Sequence, residues 1–237
     1  MTIHARQKEA ATSLAIGVDF VPRRAGTGPP TEPSPSGPPA SVGVPASDPA
    51  HALEELRAEH DATCPHCTAV TGHTQTVFGE GNPAAALMFI GEAPGAEEDR
   101  TGRPFVGRAG KKLDEMIVAM GLARADVYIA NVLKSRPPNN RTPLPDEIAG
   151  CSPFLMRQVQ IIQPKVIVTL GGPAAKLILN TSEGITRIRG TWHTYDAGTL
   201  QVDVMPTFHP AYLLRNYTRE TRERVWSDLQ AALGRLG

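Results

Sequence analysis

Three short apolar runs, each ended by a glycine or an asparagine, constrain the fold of this chain more than any other feature. They occupy residues 85–90, 127–130 and 166–170. Each run is shorter than a helix and almost continuously apolar, which is typical of a strand buried on both faces. Amphipathic helical segments separate the runs. This alternation predicts an α/β fold, a three-layer α/β/α sandwich with a central, mainly parallel four-stranded sheet.

The remaining elements follow from helix periodicity and from turn residues. Asp48-Pro49 is a typical helix start, and Gly121 is a predicted C-cap. The predicted helices span about 49–59, 111–120, 145–162, 173–179 and 219–236, and short strands are predicted near 185–189, 192–195 and 201–205.

The first 48 residues differ in composition from the rest of the chain. Residues 21–49 are rich in proline, glycine and serine, and such a segment buries too little apolar surface to offset its ordering entropy. We therefore predict a disordered extension over residues 1–48 and one domain over residues 49–237. Residues 3–14 could form a marginal helix that docks a partner, or could have no role.

Charge and cysteine content limit the class of protein. The formal net charge is zero, so positive charge for a nucleic acid would have to be concentrated locally. Three cysteines, an odd number, favour a reducing compartment over a disulfide framework. No run approaches the roughly 18 apolar residues of a membrane span, and the N-terminus lacks a signal-peptide core. We expect a cytoplasmic protein without a membrane partner.

The loop that follows the first apolar run is the predicted binding site. In open α/β sheets, ligands bind in the crevice beyond the carboxyl ends of the strands. A carboxylate, a tight turn and an aromatic ring meet there, in Glu92, Gly95 and Phe105. Taken alone, the loop could equally be a surface segment whose acidic residues keep it solvated.

Three motifs resemble those of the family 4 uracil-DNA glycosylases. Residues 91–95 (GEAPG), 98–99 (ED) and 102–110 (GRPFVGRAG) match the first motif, residues 131–134 (NVLK) and 136–141 (RPPNNR) the second, and residues 208–215 (FHPAYLLR) the last. The resemblance runs from about residue 64 to the C-terminus, in family order and spacing. It implies a monofunctional enzyme that extrudes uracil from DNA, hydrolyses its N-glycosidic bond and so initiates base excision repair.

The resemblance also assigns roles at the uracil. Phe105 would be the stacking platform, Asn131 would bind the N3–H and O4 edge, and His209 would donate to O2 as the uracil anion develops. Gly91 and Ala93 would complete the uracil-binding wall. Without the resemblance, a core phenylalanine, a turn asparagine and a structural histidine would be the favoured interpretations.

Glu92 is the candidate for activating or positioning the attacking water. The related family 1 enzymes carry a catalytic aspartate at the position of Ala93, so the resemblance does not fix this role. Asp99 is a second candidate, although it could instead order the loop. Gly95 occupies the position of the family 1 tyrosine that excludes thymine, so thymine must be rejected in another way.

The last motif also predicts contacts with DNA. Leu213 or Leu214 could fill the gap left by the extruded base, and Arg215 could bind a phosphate. We expect a monomer that meets uracil-containing DNA at the nucleoid. A local basic rim is predicted from five residues, each of which could also be a solvated surface charge: Lys134, Arg136, Arg141, Arg187 and Arg189.

The cysteines point to a metal site. Family 4 enzymes hold a four-iron four-sulfur cluster through four cysteines, and Cys64, Cys67 and Cys151 match three of these. Ser135 stands at the fourth position, where a hydroxyl is a much harder ligand than a thiolate. A serine-ligated, three-iron or labile cluster and no cluster all remain open, and the cluster would be structural.

Two other interpretations of the cysteines remain. A zinc site could use His66 or His73, because Cys-Pro-His-Cys is typical of a zinc knuckle. All three thiols could also be reduced and simply packed.

Two rival functions remain. The chain could be a uracil-DNA sensor with little turnover, although residues 137–143 are short and lack the histidine with which a related group forms a covalent adduct. A nucleotide-binding hydrolase or dehydrogenase would need a glycine fingerprint after a strand, and Gly79-Glu80-Gly81 precedes the first run instead.

Overall fold

The computed structural model describes residues 48–69, 72–198 and 200–237. The predicted extension and its helix therefore lie almost wholly outside the described residues. The helices are α1 (Pro49–Thr63), α2 (Pro65–Ala69), α3 (Ala96–Thr101), α4 (Arg108–Ala119), α5 (Pro145–Ile162), α6 (Gly172–Leu179), α7 (Ile185–Ile188), α8 (Pro210–Arg215) and α9 (Arg219–Gly234). The strands are β1 (Glu80–Gly81), β2 (Leu87–Gly91), β3 (Tyr128–Asn131), β4 (Val166–Leu170), β5 (His193–Asp196) and β6 (Gln201–Thr207).

The strands form one sheet in the order β1-β3-β2-β4-β6-β5. The inner four strands pair in parallel, and β1 and β5 pair antiparallel at the two edges. The α/β fold and its parallel centre are confirmed, but the sheet has six strands rather than four. The sequence patterns do not predict β1, because this strand is only two residues long. In the structure, Gly81 of β1 packs against the backbone of Val127.

Buried side chains on the two faces of the sheet form two separate apolar clusters. Met88 and Ile90 of β2 belong to the cluster under α1, α2, α5 and α6. Leu87 and Phe89 of the same strand belong to the cluster under α4, α8 and α9. Alternate residues of a fully buried strand therefore contact different helix layers, which makes the three-layer sandwich.

One predicted strand is wrong. The predicted strand 185–189 forms the helix α7, which ends at Ile188. Its isoleucines and threonine favour a strand locally, but this segment packs against β6 as a single helical turn without joining the sheet. The C-cap of α4 is Met120 and not the predicted Gly121. Gly121 is the next residue and has φ +80°, so the observed cap lies one residue before the predicted one.

Strand register brings the three motifs to one edge of the sheet. Gly91, the last residue of β2, lies opposite Asn131, the last residue of β3. Leu170 of β4 lies opposite Thr207 of β6, two residues before His209. The carboxyl ends of all four parallel strands therefore meet at the edge where the loops of the motifs begin. Within the described ranges, no helix combines the length and apolar character needed to cross a membrane.

Candidate active site

A cavity of about 520 Å³ opens at this edge of the sheet. All three motifs contribute to its wall. Its lining residues include Glu92, Ala93, Pro94, Gly95, Glu98, Phe105, Ala109, Asn131, Pro137, Asn140, Arg141, Thr142, His209, Ala211 and Arg215.

Beside the cavity, the backbone of Gly91, the Asn131 amide and the Phe105 ring pack closely together. A Cβ atom added to Gly91 would lie 2.4 Å from Asn131 Oδ1 and 2.4 Å from Phe105 Cζ. Asn131 is 1% exposed and Phe105 is 5% exposed. The absence of a side chain at Gly91 is therefore what allows the ring and the amide to approach each other. Gly91 itself is not among the residues that line the cavity, so its predicted place in the uracil-binding wall stays a prediction.

Phe105 is held in an unusual backbone conformation. Its φ is +52°, a left-handed value that costs a non-glycine residue roughly 1–2 kcal/mol. The Arg124 guanidinium donates to the Phe105 carbonyl over 3.2 Å and also donates to the Pro104 carbonyl. Gly110 packs so closely that a Cβ there would lie 2.0 Å from the Phe105 carbonyl carbon. These contacts fix the ring at the cavity, 5.6 Å from the His209 ring between centroids.

Asn131 presents an open hydrogen-bonding group. Its Oδ1 atom is buried and finds no hydrogen-bond partner in the part of the chain that the structure describes. A buried acceptor of this kind costs about 1–3 kcal/mol unless a ligand satisfies it. The Asn131 carbonyl accepts from Lys134 Nζ over 2.9 Å, which anchors the backbone at this position. The amide is therefore available to a ligand.

His209 caps the helix α8 with one ring nitrogen. Its Nδ1 accepts from the backbone N–H of Ala211 over 3.1 Å, so the neutral ring carries its proton on Nε2. Burial, reinforced by the positive charge of Arg215, lowers the pKa of His209 to about 4. The ring is consequently a neutral donor at physiological pH.

The acidic residues of the first motif have different roles. Glu92 is half-buried at the cavity, and burial raises the pKa of its carboxyl group, as suits a general base. Asp99 accepts from the Thr74 backbone N–H over 2.7 Å and from the Thr74 hydroxyl over 3.0 Å, so its carboxylate orders the loop. Of the two candidates for activating water, only Glu92 lines the cavity.

Glu98 also lines the cavity, and the sequence analysis does not identify it as a candidate site residue. Its carboxylate accepts from the backbone N–H groups of Gly95, Val106 and Gly107 over 2.8–3.1 Å. The Glu-Asp pair of the motif was the available signal, and a carboxylate three residues after a helix N-cap is a known capping arrangement.

The predicted DNA contacts separate into accessible and buried residues. Leu213 is 0% exposed and packs in the core, so its side chain cannot reach DNA in this conformation. Leu214 is partly exposed and Arg215 is exposed on the last turn of α8. Arg141 is exposed at the cavity wall, where its guanidinium binds both oxygens of Glu147.

The predicted basic rim is incomplete for a physical reason. Lys134 is 0% exposed, and its Nζ bonds Gln158 Oε1 over 2.5 Å. Arg189 binds the buried carboxylate of Asp228. Both cations belong to the interior of the protein, so they do not present charge to DNA. Arg136 bonds Asn140 over 2.7 Å and remains partly exposed.

A second group of candidate site residues lies beside the segment that follows Asn131, where the Lys134 backbone N–H contacts the Cys151 sulfur. Cys64, Cys67 and Cys151 are buried and free of disulfides. The Cys67 and Cys151 sulfur atoms are 3.9 Å apart, and the Ser135 hydroxyl lies 3.4 Å from the Cys67 sulfur. Three convergent thiols in a buried pocket are compatible with an iron–sulfur cluster.

The structure adds His60 to this group. The ligand atoms of His60 and the three cysteines all lie within 4.8 Å of one another. Among the described residues, neither His66 nor His73 belongs to this group, which could hold a metal ion. The missed signal was the position of His60 four residues before Cys64, on the same side of α1.

We expect His209 to titrate with a midpoint of about 4, well below the ordinary histidine value of about 6.5, when ring C–H shifts are followed by NMR. In urea, the unfolded chain should take up this proton near about 6.5. The free energy of unfolding should therefore fall as the pH drops from about 6.5 towards 4, because only the unfolded chain binds the proton readily there. A folded-state midpoint near about 6.5 would contradict this.

Comparison with known proteins agrees with this geometry. The family model of the uracil DNA glycosylase superfamily matches residues 78–230. The chain is 47% identical over 181 residues to the type-4 uracil-DNA glycosylase of Thermotoga maritima, a match that covers 76% of this chain and 93% of the relative.

Two further relatives place the chain within the superfamily. It is 47% identical over 169 residues to the type-4 uracil-DNA glycosylase of Sulfurisphaera tokodaii, covering 69% of this chain and 76% of the relative. The type-5 uracil-DNA glycosylase of Pyrobaculum aerophilum is only 30% identical over 172 residues, covering 66% of this chain and 75% of that relative. The chain therefore belongs to the uracil-DNA glycosylase superfamily and, within it, to the type-4 uracil-DNA glycosylases.

Proposed function

We propose that this protein is a monofunctional uracil-DNA glycosylase that initiates base excision repair. One observation carries the proposal: Phe105, Asn131 and His209, which come from three separate motifs, line a single cavity. A platform, an amide and a neutral imidazole are the groups that an extruded pyrimidine needs for stacking, recognition and leaving-group stabilisation.

Base recognition follows from the unpartnered amide of Asn131. Uracil presents an N3–H donor beside the O4 acceptor, and one carboxamide can satisfy both. Cytosine presents an unprotonated N3 and an amino group there, so the same amide in the same orientation would face two mismatched groups. Because the Asn131 oxygen is buried, each mismatch leaves a buried polar group unsatisfied, which costs about 1–3 kcal/mol.

The chemical step breaks the bond between the sugar C1′ and uracil N1. Negative charge develops on the departing uracil, and the Nε2–H of neutral His209 donates to uracil O2 as that charge grows. This hydrogen bond is stronger in the transition state than in the ground state, which is the condition for catalysis. Neutral His209 donates this hydrogen bond without transferring its proton. Uracil therefore leaves as an anion and not as the protonated base.

Water completes the reaction from the sugar side. The half-buried carboxylate of Glu92 accepts a proton from water, whose oxygen bonds to C1′ as the uracil leaves. The same carboxylate opposes the positive charge that develops on the sugar. The products are free uracil and an abasic site, and no covalent bond to the protein is formed.

Contacts with the DNA backbone are proposed for exposed residues around the cavity. The exposed Arg215 would bind a phosphate beside the extruded nucleotide, and the partly exposed Leu214, rather than the buried Leu213, would fill the vacated base stack. Arg141 would exchange Glu147 for a phosphate. The partner is uracil-containing DNA, and we propose that the protein acts on it as a monomer inside the cell, where its three buried thiols stay reduced.

We propose that the buried thiols hold an iron–sulfur cluster, as the family resemblance implies. Cys64, Cys67 and Cys151 would be its cysteine ligands. Bound by these residues, the cluster would cross-link the N-terminal helices to α5, and its role would be structural because hydrolysis of a glycosidic bond requires no electron transfer. Lys134 donates its backbone N–H to the Cys151 sulfur over 3.1 Å, which connects this cross-link with the segment that carries Asn131.

A uracil oligonucleotide in excess over protein, followed by alkali, measures turnover. We expect many strand breaks per protein molecule, and Asn131→Ala and His209→Ala should each reduce the excision rate by on the order of 100-fold or more. The exposed His51→Ala variant should retain the wild-type rate. Tight retention of the oligonucleotide without strand breaks would instead identify a uracil-DNA sensor.

Glu92→Gln tests the assignment of the base. The variant cannot accept a proton, so single-turnover excision should fall by about 10²–10⁴-fold while uracil-DNA binding is kept. In the wild type, the rate should rise with pH through the raised pKa of Glu92 and then stay constant, whereas the variant should lose this rise. An unchanged rate and pH profile in Glu92→Gln would remove Glu92 from the mechanism.

Gly91→Ala tests the close packing of the cavity. The added methyl carbon would overlap both Phe105 and Asn131, so these side chains must move apart and the excision rate should fall by on the order of 100-fold. Gly172→Ala is the matched control, because a Cβ there meets no atom within 4 Å. Equal excision rates for the two variants would show that the packing at Gly91 does not shape the site.

A further inference from the structure

His60 is a buried histidine whose second ring nitrogen forms no hydrogen bond within the part of the chain that the structure describes. The residue is 0% exposed. Its Nδ1 lies 2.8 Å from Asp61 Oδ1, whereas Nε2 is buried and without a hydrogen bond among the residues described. Leaving such a buried atom without a hydrogen bond is unfavourable, so its position requires an explanation.

The surroundings of His60 fix both its tautomer and its direction. The Asp61 carboxylate can only accept, so Nδ1 carries the proton and Nε2 keeps its lone pair. Asp61 also accepts from the Thr76 hydroxyl over 2.7 Å, which holds the carboxylate in place. The imidazole packs edge-on against Phe154 with 4.9 Å between centroids and lies 5.7 Å from the Phe78 ring. A carboxylate behind a rigid imidazole is the usual support for a metal-binding histidine.

A ring nitrogen of His60 belongs to the same group as the three thiols, and because Asp61 engages Nδ1, the nitrogen left for a metal is Nε2. The ligand atoms of His60, Cys64, Cys67 and Cys151 all lie within 4.8 Å of one another, and all four residues are buried. The rest of α1 provides no comparable ligand, because His51 is exposed and pairs with Glu55. Three thiolates and one neutral imidazole form a complete set of four protein ligands for a thiophilic metal.

Ser135 is the competing candidate for the fourth position, and it is chemically weaker. Its hydroxyl lies 3.4 Å from the Cys67 sulfur, at hydrogen-bond distance for a sulfur atom. A serine hydroxyl is hard and must lose a proton to bind iron or zinc strongly, whereas neutral imidazole binds both without losing one. Imidazole is also an established ligand of iron in iron–sulfur centres.

We propose that His60 Nε2, and not Ser135 Oγ, is the fourth protein ligand of the metal centre in this chain. The shared chemistry is a thiophilic metal held by three thiolates and one imidazole. The iron–sulfur cluster proposed above and a single zinc ion both accept that ligand set. The proposal does not depend on uracil excision, so its test uses metal binding rather than activity.

The first measurement is made on the full-length wild-type protein, purified without oxygen. Iron, zinc and acid-labile sulfide are quantified per chain, which distinguishes the cluster from a single ion. In the iron case, pulsed EPR of the reduced protein should detect coupling to one imidazole nitrogen. In the zinc case, X-ray absorption should fit three sulfur atoms and one nitrogen. Protein with neither metal, or a metal without a nitrogen ligand, would overturn the proposal.

Three variants then assign the ligand. His60→Phe keeps an aromatic ring against Phe154 but has no nitrogen, so metal retention against a chelator should fall by on the order of 10- to 100-fold. Ser135→Ala should retain the metal and the nitrogen signal, as should His66→Ala, which alters a second buried histidine. Circular dichroism establishes that each variant is folded. Metal loss in Ser135→Ala combined with retention in His60→Phe would refute the assignment.

Discussion

The close approach of Phe105 and Asn131 across Gly91 is the contact on which the rest of the site depends. Parallel pairing of β2 and β3 places Gly91 beside Asn131, and the missing side chain leaves room for the Phe105 ring. The two groups that would stack on and recognise a pyrimidine are therefore positioned by backbone packing. Any side chain at residue 91 would occupy the space that these groups share.

The loop after β2 stores conformational strain and contains the contacts that maintain it. Phe105 has a left-handed backbone, held by Arg124 from outside the loop and by the packing of Gly110. The Glu98 carboxylate accepts hydrogen bonds from three backbone N–H groups, and the Asp99 carboxylate accepts one from the backbone of residue 74. Since an isolated loop would relax, the rigid arrangement costs free energy that the surrounding hydrogen bonds offset.

The segment from Asn131 to Ser135 joins the cavity to the buried cysteines. Asn131 receives a hydrogen bond from the buried ammonium of Lys134, and the backbone N–H of Lys134 bonds the Cys151 sulfur. Burial lowers the pKa of Lys134 to about 8, and the neighbouring thiols act in the opposite direction by favouring the charged amine. A metal at the cysteines would therefore stabilise the same backbone that presents the Asn131 amide to the cavity. Only five residues, Asn131 to Ser135, therefore connect the cavity with the buried cysteines.

Local sequence patterns were sufficient to predict the fold class, the parallel centre of the sheet and the main residues of the cavity. Apolar runs that end in Gly91 and Asn131 carry that information locally, and the three motifs carry the resemblance. The strand over 185–189 was predicted wrongly because local preference is weak in a segment that packs as one helical turn. The two-residue edge strand β1 offered no periodic pattern at all.

Which of the candidate side chains are accessible to a ligand depends on long-range packing, which local sequence patterns do not show. Leu213, Lys134 and Arg189 look like DNA contacts in sequence, but the packing of the helices on the sheet buries them or engages them in internal ion pairs. Glu92 and Asp99 are equivalent acids in the motif until folding places one at the cavity and the other on Thr74. His60 lies close to Cys64 in sequence, but it meets Cys151 only because α1 packs against α5, and no short-range pattern encodes that contact.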